Sequence, residues 1–169
     1  RCTSARPLRI WSAAASSGEE AYSIAMLLAD RRSGPWEILA SDVNRSVLEK
    51  ARRAIYRDDR TDQIPDAYRR RFCRKGTGVY EGCLRIVPEL RQQVQFRQVN
   101  LHQSLPDLGR FDVIFLRNVM IYFDEATKCD VLRRIARVLQ PDGWLFVGHS
   151  ESLHGLDTEF HALMPAIYQ

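Results

Sequence analysis

Residues 11–30 read WSAAASSGEEAYSIAMLLAD, and the succession of residue types in them decides the fold. Leu8 to Ala13 has the apolar, β-prone character of a strand, while Ala13 to Gly18 are all small. From Glu19 to Arg31 the residues Ala21, Ile24, Ala25 and Leu28 recur on one stripe, which predicts a helix. Strand, small-residue turn and helix form the opening unit of sheets that hold nucleotide-like ligands. Turns of this kind that hold phosphate present bare backbone amides or cations at the helix start. Here Glu19 and Glu20 stand in that place, and carboxylates repel phosphate and attract a cation. No GxGxxG is present, so the dinucleotide fingerprint is missing where it should be.

Working outward, strands and helices alternate. Glu37 to Ala40 is a short strand after the Gly34-Pro35 break, and Asn44 caps a helix reaching about Arg53. Pro65 opens a short polar helix to Arg71. Cys73 to Val87, rich in β-formers and carrying Gly76, Gly78 and Gly82, reads as a small hairpin-like insertion, a β-subdomain at about 73–92. Val94 to Val99 is a strand. Val113 to Leu116 (VIFL) is the unbroken apolar run that a parallel strand buried on both faces requires. Asp124 caps a helix with Val131, Leu132, Ile135, Val138 and Leu139 inward, stopping before Pro141-Asp142-Gly143. Trp144 to Val147 is another strand, and Glu159 to Tyr168 holds a last strand or two. The pattern is that of an open α/β sheet wound with right-handed crossovers.

The 169 residues suit one domain, and 45% hydrophobic with 27% charged residues excludes disordered and fibrous classes. No apolar run approaches the roughly 20 residues of a membrane span, and the start lacks a signal-peptide core. Cys2, Cys73, Cys83 and Cys129 lie far apart without a CxxC pair, which argues against a metal site and a disulfide framework and for a reducing, cytoplasmic setting. Net charge is +4, with basic clusters at Arg31-Arg32, Arg52-Arg53 and Arg69-Arg70-Arg71. Solvated helix faces explain any one of them; together they favour an acidic partner.

Ligands of such sheets lie outside the carboxyl ends of the parallel strands. The residues just past each strand are Ala14 to Gly18 with Glu19 and Glu20, then Ser41-Asp42, Asn100-Leu101 and Arg117-Asn118. Asp42 is placed to accept both ribose hydroxyls, Glu20 to pair with an ammonium, and the small residues to let a ligand lie against the backbone. Each also has an ordinary structural explanation: an Asp in a strand-ending turn, an acid facing a helix dipole, a tight corner. Only the combination indicates a ligand. It describes an adenosine compound with positive charge and no phosphate, and S-adenosylmethionine is such a compound. Tyr122 and Phe123 are of a kind more often found as core aromatics than as catalytic groups, and Met26 and Met120 fit core fillers. His149-Ser150-Glu151 raises a hydrolase reading, but no GxSxG elbow accompanies it.

WSAAASSGEEAYSIA, ASDVNRSVLEKAR, GTGVYEG, FDVIFLRNVMIYFD and PDGWLFVGHSE, in this order, closely resemble the chemoreceptor glutamate methyltransferases of bacterial chemotaxis, the CheR family. The likeness covers almost the whole chain. It implies a Rossmann-like, S-adenosylmethionine-dependent methyltransferase sheet of seven strands with a small β-subdomain, yielding S-adenosylhomocysteine as product. It implies methyl transfer to glutamates on the cytoplasmic helices of chemoreceptors. Glu20, Asp42, Asn100, Leu101, Arg117 and Asn118 would line the cofactor site, with Tyr122 near the transferring methyl. Gly76, Gly78 and Gly82 resemble the subtype whose β-subdomain docks a receptor C-terminal tether peptide. The family's N-terminal helical domain is not in this sequence, so a C-terminal fragment of a longer enzyme is expected. Two other functions stay open. A nucleic-acid methyltransferase would need aromatics interleaved with a basic groove. A non-catalytic receptor- or signalling-binding module would share the fold.

Overall fold

Seven strands form one sheet in the computed structural model, which describes residues 6–169; Cys2 lies outside them. β1 (Leu8–Ser12) is flanked by β2 (Trp36–Asp42) on one side and β7 (Phe111–Leu116) on the other, both parallel to it. β6 (Val94–Gln98) extends the sheet beyond β2, and β8 (Leu139–Val147) extends it beyond β7. A hairpin of β9 (Ala162–Met164) and β10 (Ile167–Tyr168) closes that edge, with β10 antiparallel to β8. The order is β6-β2-β1-β7-β8-β10-β9. From β1 the chain winds outward through β2 to β6, then crosses back to β7. Strand order therefore reverses between β1 and β7, the point where open α/β sheets place their ligand crevice.

Alternation along β1 divides the core into two layers. Ile10 faces α1 (Glu19–Arg31), packing with Ala21, Tyr22, Ala25 and Met26. Trp11 faces α5 (Glu125–Val138), packing with Val131, Leu132 and Ile135. Burial of the Trp11 indole is complete, and its ring stacks on Phe111 at 5.4 Å. Its N–H donates to Ser41 Oγ (2.9 Å), which donates in turn to the Ala13 carbonyl (3.2 Å). That buried relay satisfies polar groups a dry core would otherwise penalise, and it pins the end of β1 to the end of β2.

Local signals set the helix boundaries. Asn44 caps α2 (Arg45–Arg53) by accepting from the Ser46 N–H at 2.9 Å, and Asp124 caps α5 by accepting from the Thr127 N–H at 2.8 Å. The Thr127 hydrogen bond also holds the Asp124 carboxyl below the usual carboxylate range. Pro141-Asp142-Gly143 does not separate α5 from its following strand. The strand starts at Leu139 opposite Phe111, bulges, and resumes pairing at Trp144 opposite Val113.

A second, three-stranded antiparallel sheet has the order β3-β5-β4, built from β3 (Ile55–Arg57), β4 (Cys73–Lys75) and β5 (Cys83–Ile86). The span of about 73–92 expected for it takes in β4 and β5 and leaves out β3. That strand is three residues long and carries no periodic signal; its pairing with Cys83 to Arg85 creates it. α3 (Asp66–Phe72) leads into β4, and α4 (Pro88–Arg91) returns the chain to β6. No helix among the described residues is long and apolar enough to cross a membrane.

Candidate functional site

The turn after β1 is held from three directions. The Ala15 N–H donates to the Ser41 carbonyl (2.8 Å), the Gly18 N–H to the Ala15 carbonyl (2.8 Å), and the Tyr56 hydroxyl to the Ser17 carbonyl (2.8 Å). Gly18 sits at φ +92°, where a side chain is strained, and a Cβ there would stand 2.9 Å from Ala51 Cβ and 3.1 Å from the Tyr56 hydroxyl. The glycine is thus required by both conformation and space.

Asp42 ends β2 and faces this turn. One carboxylate oxygen accepts from the Ser16 N–H (3.0 Å) and the other from the Asn44 N–H (2.9 Å). Each oxygen keeps lone-pair capacity for one further donor. Two donors on neighbouring carbons, as on a ribose, match a carboxylate prepared in this way.

The two glutamates at the start of α1 divide. Glu19 turns to the outer face, where Arg60 Nη2 lies 3.0 Å away. Glu20 turns inward, accepting from buried Ser12 Oγ (2.7 Å) and from Arg117 Nη1 (3.0 Å). Glu20 and Arg117 come together from α1 and from the residue after β7. They present opposite charges side by side at the strand ends, with side-chain exposures of only 21% and 35%.

A cleft of about 260 Å³ opens beside the turn, lined by Ala13, Ala14, Asp42, Val43, Val99, Asn100, Leu101, His102, Val119 and Phe123. Asp42, Asn100 and Leu101 from the expected set meet here. The other expected residues stand apart from its walls. Glu20 and Arg117 pair with each other, and Asn118, at φ +57°, donates its N–H to Glu151 at 2.8 Å. Tyr122 does not line the cleft. It is 79% exposed, on the turn Met120–Tyr122, against the core-aromatic alternative. Sequence reasoning missed His102, whose ring meets Phe123 edge-on at 4.6 Å, together with Val43, Val119 and Phe123. Position just past a strand would have found His102; the rest depend on how the loops fold. Asn100 is committed partly to its own loop, accepting from the His102 N–H at 3.0 Å. A larger cavity of about 640 Å³, at Gly34, Pro35, Trp36 and Arg71, lies by the amino end of β2, away from the switch point.

Gly76, Gly78 and Gly82 belong to the loop joining β4 to β5. A Cβ on Gly76 would overlap the Tyr80 carbonyl at 2.0 Å, while Gly78 and Gly82 adopt φ +60° and +73° in open space. Beside them a cavity of about 490 Å³ is lined by Arg53, Arg74, Lys75 and Arg85 together with Ile55 and Tyr80.

The family described as "CheR methyltransferase, SAM binding domain" matches residues 1–168. The chain is 47% identical over 164 residues to the chemotaxis protein methyltransferase of Salmonella typhimurium, covering 95% of this chain and 57% of that one. It is 48% identical over 151 residues to chemotaxis protein methyltransferase 2 of Pseudomonas aeruginosa, covering 87% and 54%. The chain therefore spans a little over half the length of these curated relatives. Among solved structures, the glycopeptide N-methyltransferase MtfA complexed with S-adenosyl-L-methionine superposes with a TM-score of 0.54 at 17% identity, covering 86% of this chain and 48% of that one. This last likeness concerns the fold alone.

Proposed function

The chain belongs to the CheR methyltransferase family as its S-adenosylmethionine-binding domain, and on that premise we propose that it is the catalytic part of a protein-glutamate O-methyltransferase acting on chemoreceptors in the cytoplasm. The observation that carries the reading is Asp42. Its carboxylate closes β2 at the switch point with one backbone N–H on each oxygen and a cleft of about 260 Å³ beside it. Ribose hydroxyls complete its hydrogen bonding, and Val43, Val99, Leu101 and Phe123 give an adenine an apolar enclosure, with Asn100 at its edge. Glu20 and Arg117 offer complementary charges to the ammonium and carboxylate of a methionyl group, and Asn118 stands next to them.

When bound, S-adenosylmethionine supplies a methyl electrophile to a glutamate carboxylate, giving a methyl ester and S-adenosylhomocysteine. That carboxylate is already ionised at neutral pH, its reference pKa being about 4.3, so the protein has no proton to remove. What the chain must do is align and exclude water. Small residues at the turn admit the ligand against the backbone. Tyr122, exposed on the turn Met120–Tyr122, meets the incoming receptor helix and orients it. Its Phe variant slows transfer while S-adenosylhomocysteine affinity stays near that of the unaltered chain; an unchanged turnover defeats this role.

The small sheet is the proposed docking point for an acidic receptor C-terminal tether. Edge strand β4 can accept an extended peptide as a further strand, and Arg53, Arg74, Lys75 and Arg85 surround the adjoining cavity with positive charge. The glycines Gly76, Gly78 and Gly82 keep that edge clear. Incubation with tritiated S-adenosylmethionine and receptor-bearing membranes, scored as base-labile methanol, tests the activity. Absence of label from a chain that binds S-adenosylhomocysteine would leave a binding module instead.

A further inference from the structure

Glu151 lies in the loop after β8 and is only 7% exposed, yet among the described residues no cation pairs with it. Burying a carboxylate without a counter-charge is expensive unless hydrogen bonds replace its water. Four backbone N–H groups do so. Oε1 accepts from Val119 (2.9 Å) and Met120 (2.8 Å), and Oε2 accepts from Asn118 (2.8 Å) and Gly148 (2.7 Å). Three of these donors are consecutive amides, curled into an anion-holding nest by the left-handed Asn118 at φ +57°. The fourth belongs to Gly148, the residue that follows β8. There is no slack: a Cβ on Gly148 would stand 2.6 Å from both Asn118 Oδ1 and Glu151 Oε2.

The segment gathered by this carboxylate leaves β7 and carries Arg117, Asn118, the cleft-lining Val119 and Tyr122. We infer that Glu151 is a positioning residue for methyl transfer: its carboxylate ties the Asn118–Met120 backbone to the end of β8 and thereby sets the wall of the cofactor cleft. This rests on the reading of that cleft as the S-adenosylmethionine site. The role requires a carboxylate specifically. A glutamine at 151 would place an amide nitrogen against two N–H donors whichever way it turned, leaving two of the four unpaired and loosening the wall.

Calorimetric titration of the chain with S-adenosylhomocysteine tests this. Glu151→Gln should weaken binding roughly tenfold or more, in proportion to two lost charge-assisted hydrogen bonds. Glu151→Ala should lose affinity further and regain it as formate is added, because formate can enter the emptied nest; a merely space-filling role would not respond to formate. Equal affinity of Glu151→Gln and the unaltered chain overturns the inference, as does an Ala variant deaf to formate. Should neither variant fold, hydrogen exchange on the unaltered chain decides. The amides of Asn118, Val119, Met120 and Gly148 should slow together when S-adenosylhomocysteine binds, and exchange unaffected by the ligand overturns the role. An unaltered chain with no affinity for the ligand instead brings down the site reading, and this inference with it.

Discussion

Replacing Asp42 tests the proposed ribose contact separately from the rest of the site. In Asp42→Ala the two proposed hydrogen bonds to the ligand disappear, each charge-assisted and worth about 1.5–3 kcal/mol. The Ser16 and Asn44 N–H groups also lose their acceptor, at 3.0 and 2.9 Å in the present structure. Asp42 is half-exposed, so water replaces part of both losses. The lower end of the range is the appropriate figure: about 3 kcal/mol for the two bonds, somewhat over a hundredfold in dissociation constant. Calorimetry with three ligands localises the loss. S-adenosylhomocysteine and 5′-methylthioadenosine share the ribose and should weaken by the same factor, whereas free adenine should be indifferent. Glu20→Gln gives the complementary pattern, weakening S-adenosylhomocysteine and sparing methylthioadenosine, which lacks the amino-acid end. If Asp42→Ala binds methylthioadenosine as the unaltered chain does, the carboxylate does not hold a ribose and the site is misassigned.

Two stability predictions follow from the same turn and its neighbours. Gly18→Ala should cost roughly 2–5 kcal/mol, combining a left-handed backbone penalty with overpacking against Ala51, and a urea midpoint unchanged from that of the unaltered chain would contradict the crowding. Burial pushes the Tyr22 phenol up to about 12, with Arg91 and Arg85 opposing the shift. Because the folded value is raised, this contribution to stability is complete below pH about 10 and fades as pH climbs towards 12. Thermal melts across that window should fall less steeply in Tyr22→Phe, which has no proton to lose but forgoes the 3.1 Å bond to the Ala51 carbonyl. Parallel curves for the two proteins would refute the linkage.

Features written in adjacent residues were legible in the sequence. Asn44 and Asp124 cap the helices that follow them, and the stripe from Ala21 to Leu28 predicts α1, which spans Glu19–Arg31. The alternation of strands and helices gave the α/β sheet, and VIFL marked a central strand because such strands bury both faces. What escaped depends on distant partners. β3 exists through its pairing with Cys83 to Arg85, beyond the reach of a local pattern. Glu151 raised a hydrolase reading with His149 and Ser150, since nothing nearby reveals that its acceptors serve a loop some thirty residues earlier. Glu20, not Glu19, was read as the ligand's partner, and because successive helical residues point about 100° apart, Glu20 reaches the strand ends while Glu19 reaches Arg60. Tyr122 was placed by its neighbours in the motif; its solvent-facing ring is a property of the turn that carries it.

The bond from the Tyr56 hydroxyl to the Ser17 carbonyl makes β3 a strut for the turn beside Gly18. Transplanting the small sheet from one relative to another therefore transplants a support of the proposed nucleoside pocket as well. A chimera built to test the proposed tether docking has to deliver a phenol to that spot. Otherwise its lowered turnover will be blamed on the receptor when the fault lies with a sagging floor under the proposed cofactor site.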